Sequence, residues 1–246
     1  MAFAEPKAGG IHTDAMRPKI GVVVALQREA SAIRRGGLGM SSGASVVCAG
    51  QGPQCAGTSA RLLVADGVDA LVSLGFSAGL RYDLKSGSVI VAASVLGPEG
   101  DTVNCDLAWA ERSLDVLAPV DAAIGHAVEI ATVVSGPDEK RALARSSGAD
   151  VADMESHAVA SVAQDAAIPC LIVRVVLDGV DFRTPSWLAG VIGVGGRVSA
   201  TRLVRGLVMH PGDGMALARL GRAAKIAEAR LSGVAALLAG GGVAFR

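Results

Sequence analysis

Residues 71–80 read LVSLGFSAGL, and Gly75-Phe76-Ser77-Ala78-Gly79 within them fits G-x-S-x-G, the spacing that lifts a serine nucleophile onto a strand-to-helix turn. Three further stretches set ionisable side chains in or just beyond short apolar runs. IGVVVALQREA carries Glu29 past a β-branched run. ADVADMESHAVA places Met154 and Glu155 at a strand-to-helix junction. CLIVRVVLDGVD holds Arg174 within a strand and Asp178 at its end. Carboxyl groups on one rim suit general acid–base chemistry, because burial and neighbouring charges can move their pKa values toward neutrality. Singly, each also has a plainer reading. Glu29 can be a first-turn acid favoured by the helix dipole, Glu155 a cap, Asp178 a turn residue and Arg174 one half of an ion pair.

The elements that must hold these residues follow from periodicity. Strands are expected over 19–25, 45–49, 70–74, 89–95, 128–134, the segment ADVADM and CLIVRVVL. Helices are expected after Leu26 and over 54–65, 106–117, the SGPDEKRALARS segment, 155–167 and 215–238. This alternation predicts a three-layer α/β/α fold with a central mixed, largely parallel sheet, and ligands in such sheets gather at the carboxyl ends of strands. Residues 1–18 read as a loose lead-in and 19–246 as a single domain, with 182–246 as a basic helical extension.

The serine motif sits poorly in this frame. A nucleophile elbow needs a helix directly after the serine, and RYDLKSGSVIVAASV reads as turn then strand. His210 is the only histidine late in the chain in a loop context. The glycine-rich stretch therefore reads as a tight turn that lets a ligand approach the backbone, with Ser77 a bystander or a backbone donor. A serine esterase using Ser77 stays as an alternative of a different class.

Composition narrows the field. Net charge is zero and only 3% of residues are aromatic, which does not suit a nucleic-acid surface built on stacking. Residues 183–246 hold nine basic against two acidic side chains. A solvated helical face explains this, and contact with an anionic membrane surface is the sharper alternative. On the 215–238 helix, Leu217, Leu220, Ala224, Ala227, Leu231, Val234 and Leu238 share one face. The four cysteines show no C-x-x-C spacing and the four histidines no H-E-x-x-H, so neither a disulfide frame nor a metal site is expected. With no continuous apolar core near the start and no apolar run of about 20 residues, the expected location is cytoplasmic, with room for peripheral contact with the inner membrane.

Taken together and in order, IGVVVALQREA, the glycine stretches AGQG and GFSAG, VSGPDEK, DMESHAVA and VRVVLDGVD resemble the purine nucleoside phosphorylase and nucleosidase superfamily. Within it they look like the methylthioadenosine/S-adenosylhomocysteine nucleosidases, over about residues 19–181. DMESH followed by the basic helical tail, with Trp109 in NCDLAWAERSL, is similar to the hopanoid-associated phosphorylases. That branch is held to release adenine from adenosylhopane.

The resemblance implies cleavage of a purine N-glycosidic bond. Asp178 would be the general acid at the purine, and Glu29 the base for a water nucleophile. Met154 and Glu155 would hold the ribose, with Asp153, Arg174, Phe76, Ser77, Gly79 and Lys140 as further substrate-binding residues. Gly50, Gly52, Arg28 and His157 would form the phosphate or water site. No cofactor is implied beyond inorganic phosphate as a co-substrate, the partner is a small adenine nucleoside that can be lipid-linked, and a homo-oligomer is implied.

This chain also departs from the family pattern. Phe76 stands where a small or hydroxyl residue is usual, Leu177 replaces a serine before Asp178, and the polar PDEK stands where an aromatic is usual. Hydrolysis and phosphorolysis both remain open. So do a methylthioadenosine/S-adenosylhomocysteine nucleosidase and a non-catalytic nucleoside-binding protein.

Overall fold

The computed structural model describes residues 18–191 and 199–241. The lead-in expected over residues 1–18 lies almost wholly outside the described residues. Among the described residues, eight strands form one mixed sheet. β1 (Ile20–Val24) pairs in parallel with β2 (Ala44–Cys48) and with β3 (Ala70–Gly79). β3 runs parallel to β8 (Cys170–Asp178), which lies antiparallel to β4 (Val89–Leu96). β4 also pairs with the short β5 (Thr102–Asn104) and with β6 (Ala123–Glu129). β6 in turn pairs with β7 (Val151–Asp153), and β7 closes back onto the end of β3. The sheet thus curls on itself through β3, β8, β4, β6 and β7, while β1 and β2 extend from it.

β-branched and small residues explain why these runs are strands with both faces covered. β1 is buried at all five positions and β8 at eight of nine. One layer of helices holds α1 (Gln27–Arg35), α3 (Leu107–Leu117) and α7 (Gly214–Gly240). The other holds α2 (Pro53–Ala65) and α5 (Ser156–Asp165), which pack on each other. The α7 stripe expected from its spacing is the face that packs: Ala227, Leu231 and Val234 are fully buried, and Leu238 nearly so. Trp109 lies in the same core, not on a ligand surface.

Two local expectations need correction. GFSAG is not a turn but the second half of β3, which runs unbroken to Gly79. The sixth strand is β6, Ala123–Glu129, not 128–134; residues 130–136 form the loop leading into α4 (Pro137–Ser147). The apolar Ile130, Val133 and Val134 had suggested a strand, but they serve as walls of a cavity instead.

Candidate active site

The carboxyl ends of β1, β3, β7 and β8 meet at a cavity of about 210 Å³. Glu29, Phe76, Ser77, Asp153, Met154, Glu155 and Asp178 all line it. The register explains the convergence. β3 and β8 run side by side from Leu71 opposite Cys170 to Ser77 opposite Val176, and an irregularity then sets Ala78 opposite Asp178. A bulge of this kind re-aims side chains at a strand end.

Glu29 is 3% exposed and held by backbone donors. Its Oε2 accepts the Ala25 and Leu26 amides at 3.0 and 2.7 Å, and its Oε1 accepts the Phe76 amide at 2.7 Å. The last bond requires Gly75, because a Cβ there would lie 2.7 Å from Glu29 Oε1. This close approach, not a tight turn, accounts for the first glycine of G-x-S-x-G. Burial raises the Glu29 pKa, opposed by these amides and by Arg174.

Glu155 stands at the N-terminus of α5. Its Oε1 accepts the Gly52 amide at 2.7 Å, which Gly52 presents from a left-handed backbone (φ 99°) that favours glycine. Burial, with Asp153 and Glu29 adding like charge, pushes its pKa up to about 8. Beside it, Met154 Sδ accepts from Gln51 Nε2 at 3.1 Å, so Gln51 and Met154 form one wall.

Asp178 is 7% exposed at the end of β8. Its Oδ2 accepts from the Lys140 ammonium and, at 3.3 Å, from Thr184 Oγ1. Burial raises its pKa, and Lys140 and Thr184 oppose the rise without cancelling it.

Several expected site residues lie elsewhere. Lys140 does not line the cavity; it is fully buried behind Asp178, because PDEK begins α4 and turns its lysine inward. Arg174 is also below the cavity. Its Nε donates to Asp153 Oδ2 at 2.8 Å and to Ser156 Oγ at 3.0 Å, and its Nη2 to Ser73 Oγ at 2.6 Å. Asp153 reaches the cavity wall, yet its oxygens accept from Arg174, from Ser156 Oγ and from the Glu155 and Ser156 amides.

The residues expected at a phosphate site do not assemble one. The Arg28 guanidinium points outward, 2.5 Å from Glu228 of α7, and is half-exposed. The His157 imidazole lies 2.8 Å from Asp101. Gly50 and Gly52 are beside the cavity but do not line it, and the Gly52 amide is taken by Glu155. Gly79 is packed against Val176 and Leu84.

Ser77 lines the cavity with a buried Oγ that has no hydrogen-bond partner. It lies within a strand, no helix follows it, and none of His126, His157 and His210 lines the cavity. The geometry of a serine nucleophile is therefore missing among the described residues.

The sequence reading missed Gln51, Thr184 and the apolar walls Ile130, Val133, Val134, Leu188 and Leu220. Gln51 stood in view between two glycines. No spacing rule points to Leu188, and the 3/4 repeat of α7 placed Leu220 on its apolar face without assigning it to a cavity. Among the described residues, no cluster of His, Cys, Asp and Glu is arranged to hold a metal.

Residues 130–189, from the cavity loop through Asp178, match the sequence model of the phosphorylase superfamily. No match was found among curated protein sequences. The fold is similar to the Helicobacter pylori 5'-methylthioadenosine/S-adenosylhomocysteine nucleosidase solved with butyl-thio-DADMe-Immucillin-A. That match has a TM-score of 0.65 and 17% identity over 89% of this chain and 98% of that one. It is also similar to a putative nucleosidase of the same description from Francisella philomiragia, with TM-score 0.61 and 18% identity over 78% and 99% of the two chains. The futalosine hydrolase of Helicobacter pylori gives TM-score 0.60 and 19% identity over 68% and 87%. Residues 130–189 thus carry the sequence pattern of the phosphorylase superfamily, and the fold is similar to that of these nucleosidases.

Proposed function

We propose that this protein hydrolyses the N-glycosidic bond of an adenine nucleoside that carries an apolar 5' substituent, with adenosylhopane as the preferred substrate. One observation carries the reading: Glu29, Glu155 and Asp178 share a single cavity whose remaining wall is largely apolar. Breaking the C1'–N9 bond leaves positive charge on the sugar and an electron pair on the purine. Asp178 supplies a proton to N7, so the base leaves neutral. Glu155 accepts from the ribose hydroxyls, and these bonds strengthen as the ring becomes cationic. Glu29 takes the proton of the attacking water.

Water is favoured over phosphate because no Lys, Arg or His side chain lines the cavity among the described residues. A phosphate dianion in a buried site needs charged or multiple backbone donors. The hydrocarbon preference is supported by Phe76, Val133, Leu188 and Leu220 on the walls. Support also comes from α6 (Ala200–Met209), which buries none of its residues. Val204, Leu207, Val208 and Met209 are exposed on α6, beside Arg202 and Arg205. Such a surface suits peripheral contact with an anionic membrane, although no helix among the described residues is long and apolar enough to cross one.

The test is chromatographic detection of adenine from adenosylhopane and from methylthioadenosine, with and without phosphate, followed by analysis of the sugar. Adenine release from adenosylhopane with a free reducing sugar in either buffer is expected. Rapid turnover of methylthioadenosine alone would assign the chain to the soluble thioether nucleosidases. Phosphate-dependent formation of a sugar phosphate would overturn hydrolysis. Adenine binding without cleavage would mark a binding protein.

A further inference from the structure

Lys140 is the one fully buried lysine among the described residues, and its environment is specific. From α4 its ammonium reaches three acceptors: Asp178 Oδ2, the Gly179 carbonyl at 2.9 Å and the Phe182 carbonyl at 3.2 Å. An ammonium has three N–H bonds, so each is matched and the side chain has no donor left for a ligand. On Asp178, Lys140 and Thr184 both meet Oδ2, which leaves the other carboxyl oxygen for the cavity that Asp178 lines.

We propose that Lys140 is a positioning residue for Asp178: it aims the free carboxyl oxygen into the cavity and holds the carboxylate that remains once the proton has gone to the purine. This rests on the reading of Asp178 as the general acid. When the C1'–N9 bond breaks, its electron pair stays on the purine and the Asp178 proton moves to N7. Asp178 is left as a carboxylate, stabilised by a charge-assisted bond from the Lys140 ammonium. Water adds to C1' and gives its proton to Glu29; after the products depart, Glu29 releases that proton to solvent and Asp178 takes one from solvent.

The other charged groups around Asp178 do not substitute for this contact. On α4, Arg141 faces outward to Asp138 and Asp181. Across the cavity stand Glu29 and Glu155, both acidic, while β3 contributes Ser77 and α7 contributes Leu220.

The experiment follows the Asp178 carboxyl carbon by NMR against pH, identified by its loss in D178N, beside the pH dependence of kcat/KM for adenine release. In K140M and in K140Q, which keeps donors for the two carbonyls without the charge, the Asp178 titration is expected to move up by roughly one to three pH units. The alkaline limb of kcat/KM should move with it, and kcat should fall at least tenfold with KM little changed. In the wild type, the Lys140 Nζ resonance should shift as Asp178 titrates, a reading that needs no variant. A merely structural lysine would lower stability and leave the titration where it was, and that result, or an unresponsive Nζ resonance, overturns the proposal. If the titration moves but the wild-type protein releases no adenine, the pairing holds and the general-acid reading fails.

Discussion

β8 carries one member of each of two buried contacts between a carboxyl group and a cation, and they are set up for opposite ends. In the Arg174–Asp153 pair, both partners are almost wholly enclosed and each guanidinium nitrogen has an acceptor, drawn from β3, β7, β8 and the start of α5. Burial alone would raise the Asp153 pKa, but Arg174, Ser156 and two amides outweigh it and hold the carboxyl below its usual range. In the Lys140–Asp178 pair, one carboxyl oxygen is tied back and the residue still reaches a cavity, so burial wins and the pKa rises. A fully engaged pair organises the fold, whereas a pair at a cavity wall with one carboxyl oxygen unclaimed is free to meet a ligand.

The largest expected effect comes from breaking the second pair on its acidic side. Asp178→Asn should lower adenine release by about 10²–10⁴-fold, the usual worth of a positioned acid, while circular dichroism and Tm stay close to wild type. Burial raises the Asp178 pKa, and on the proposed general-acid role wild-type kcat/KM should fall as pH rises through it.

Breaking the first pair should instead strike the fold. Arg174→Met strands Asp153 in the interior and should cost about 3–5 kcal/mol in denaturant unfolding, with activity lost only in proportion to the unfolded fraction.

Glu155→Gln sharpens the contrast. The folded protein binds the Glu155 proton more tightly than the unfolded chain, whose value is near 4.5 against about 8 in place. Wild-type stability therefore contains a contribution that is complete below the lower value and is lost as pH rises to the upper one, at about 1.4 kcal/mol per pH unit. E155Q lacks that decline, so its Tm relative to wild type should climb across the same window even as its kcat falls.

The smallest effect is expected from Gly75→Ala. The new Cβ displaces the Glu29 carboxyl from the Phe76 amide and should slow turnover about tenfold to a hundredfold with a modest loss of Tm.

How much of this was legible in the chain depends on the kind of contact. The strands at Ile20–Val24 and Cys170–Asp178 announced themselves as β-branched apolar runs, and Glu29 and Asp178 could be placed at their ends; Ala70–Gly79 was legible only as far as Leu74, and Glu155 could be placed at the ADVADM junction. The α7 face was readable for the same reason, since a 3/4 repeat survives without knowledge of what it packs on. GFSAG was misleading because glycines mark a turn and a close approach with the same letters. Only the position of Glu29 against Gly75 shows which applies. Arg28, near Glu29 in sequence, faces α7, because successive helix residues point about 100° apart.

Local sequence thus determined the α/β alternation, the buried strands and the identity of the carboxyl groups at their ends, because each depends on residue type and short-range periodicity. Which carboxyl is raised in pKa and which is lowered, which cation is enclosed and which apolar residues wall the cavity were decided by the tertiary structure. Those outcomes depend on burial and on partners 21 to 47 residues apart, as in Arg174 with Asp153, Lys140 with Asp178 and Phe76 with Glu29.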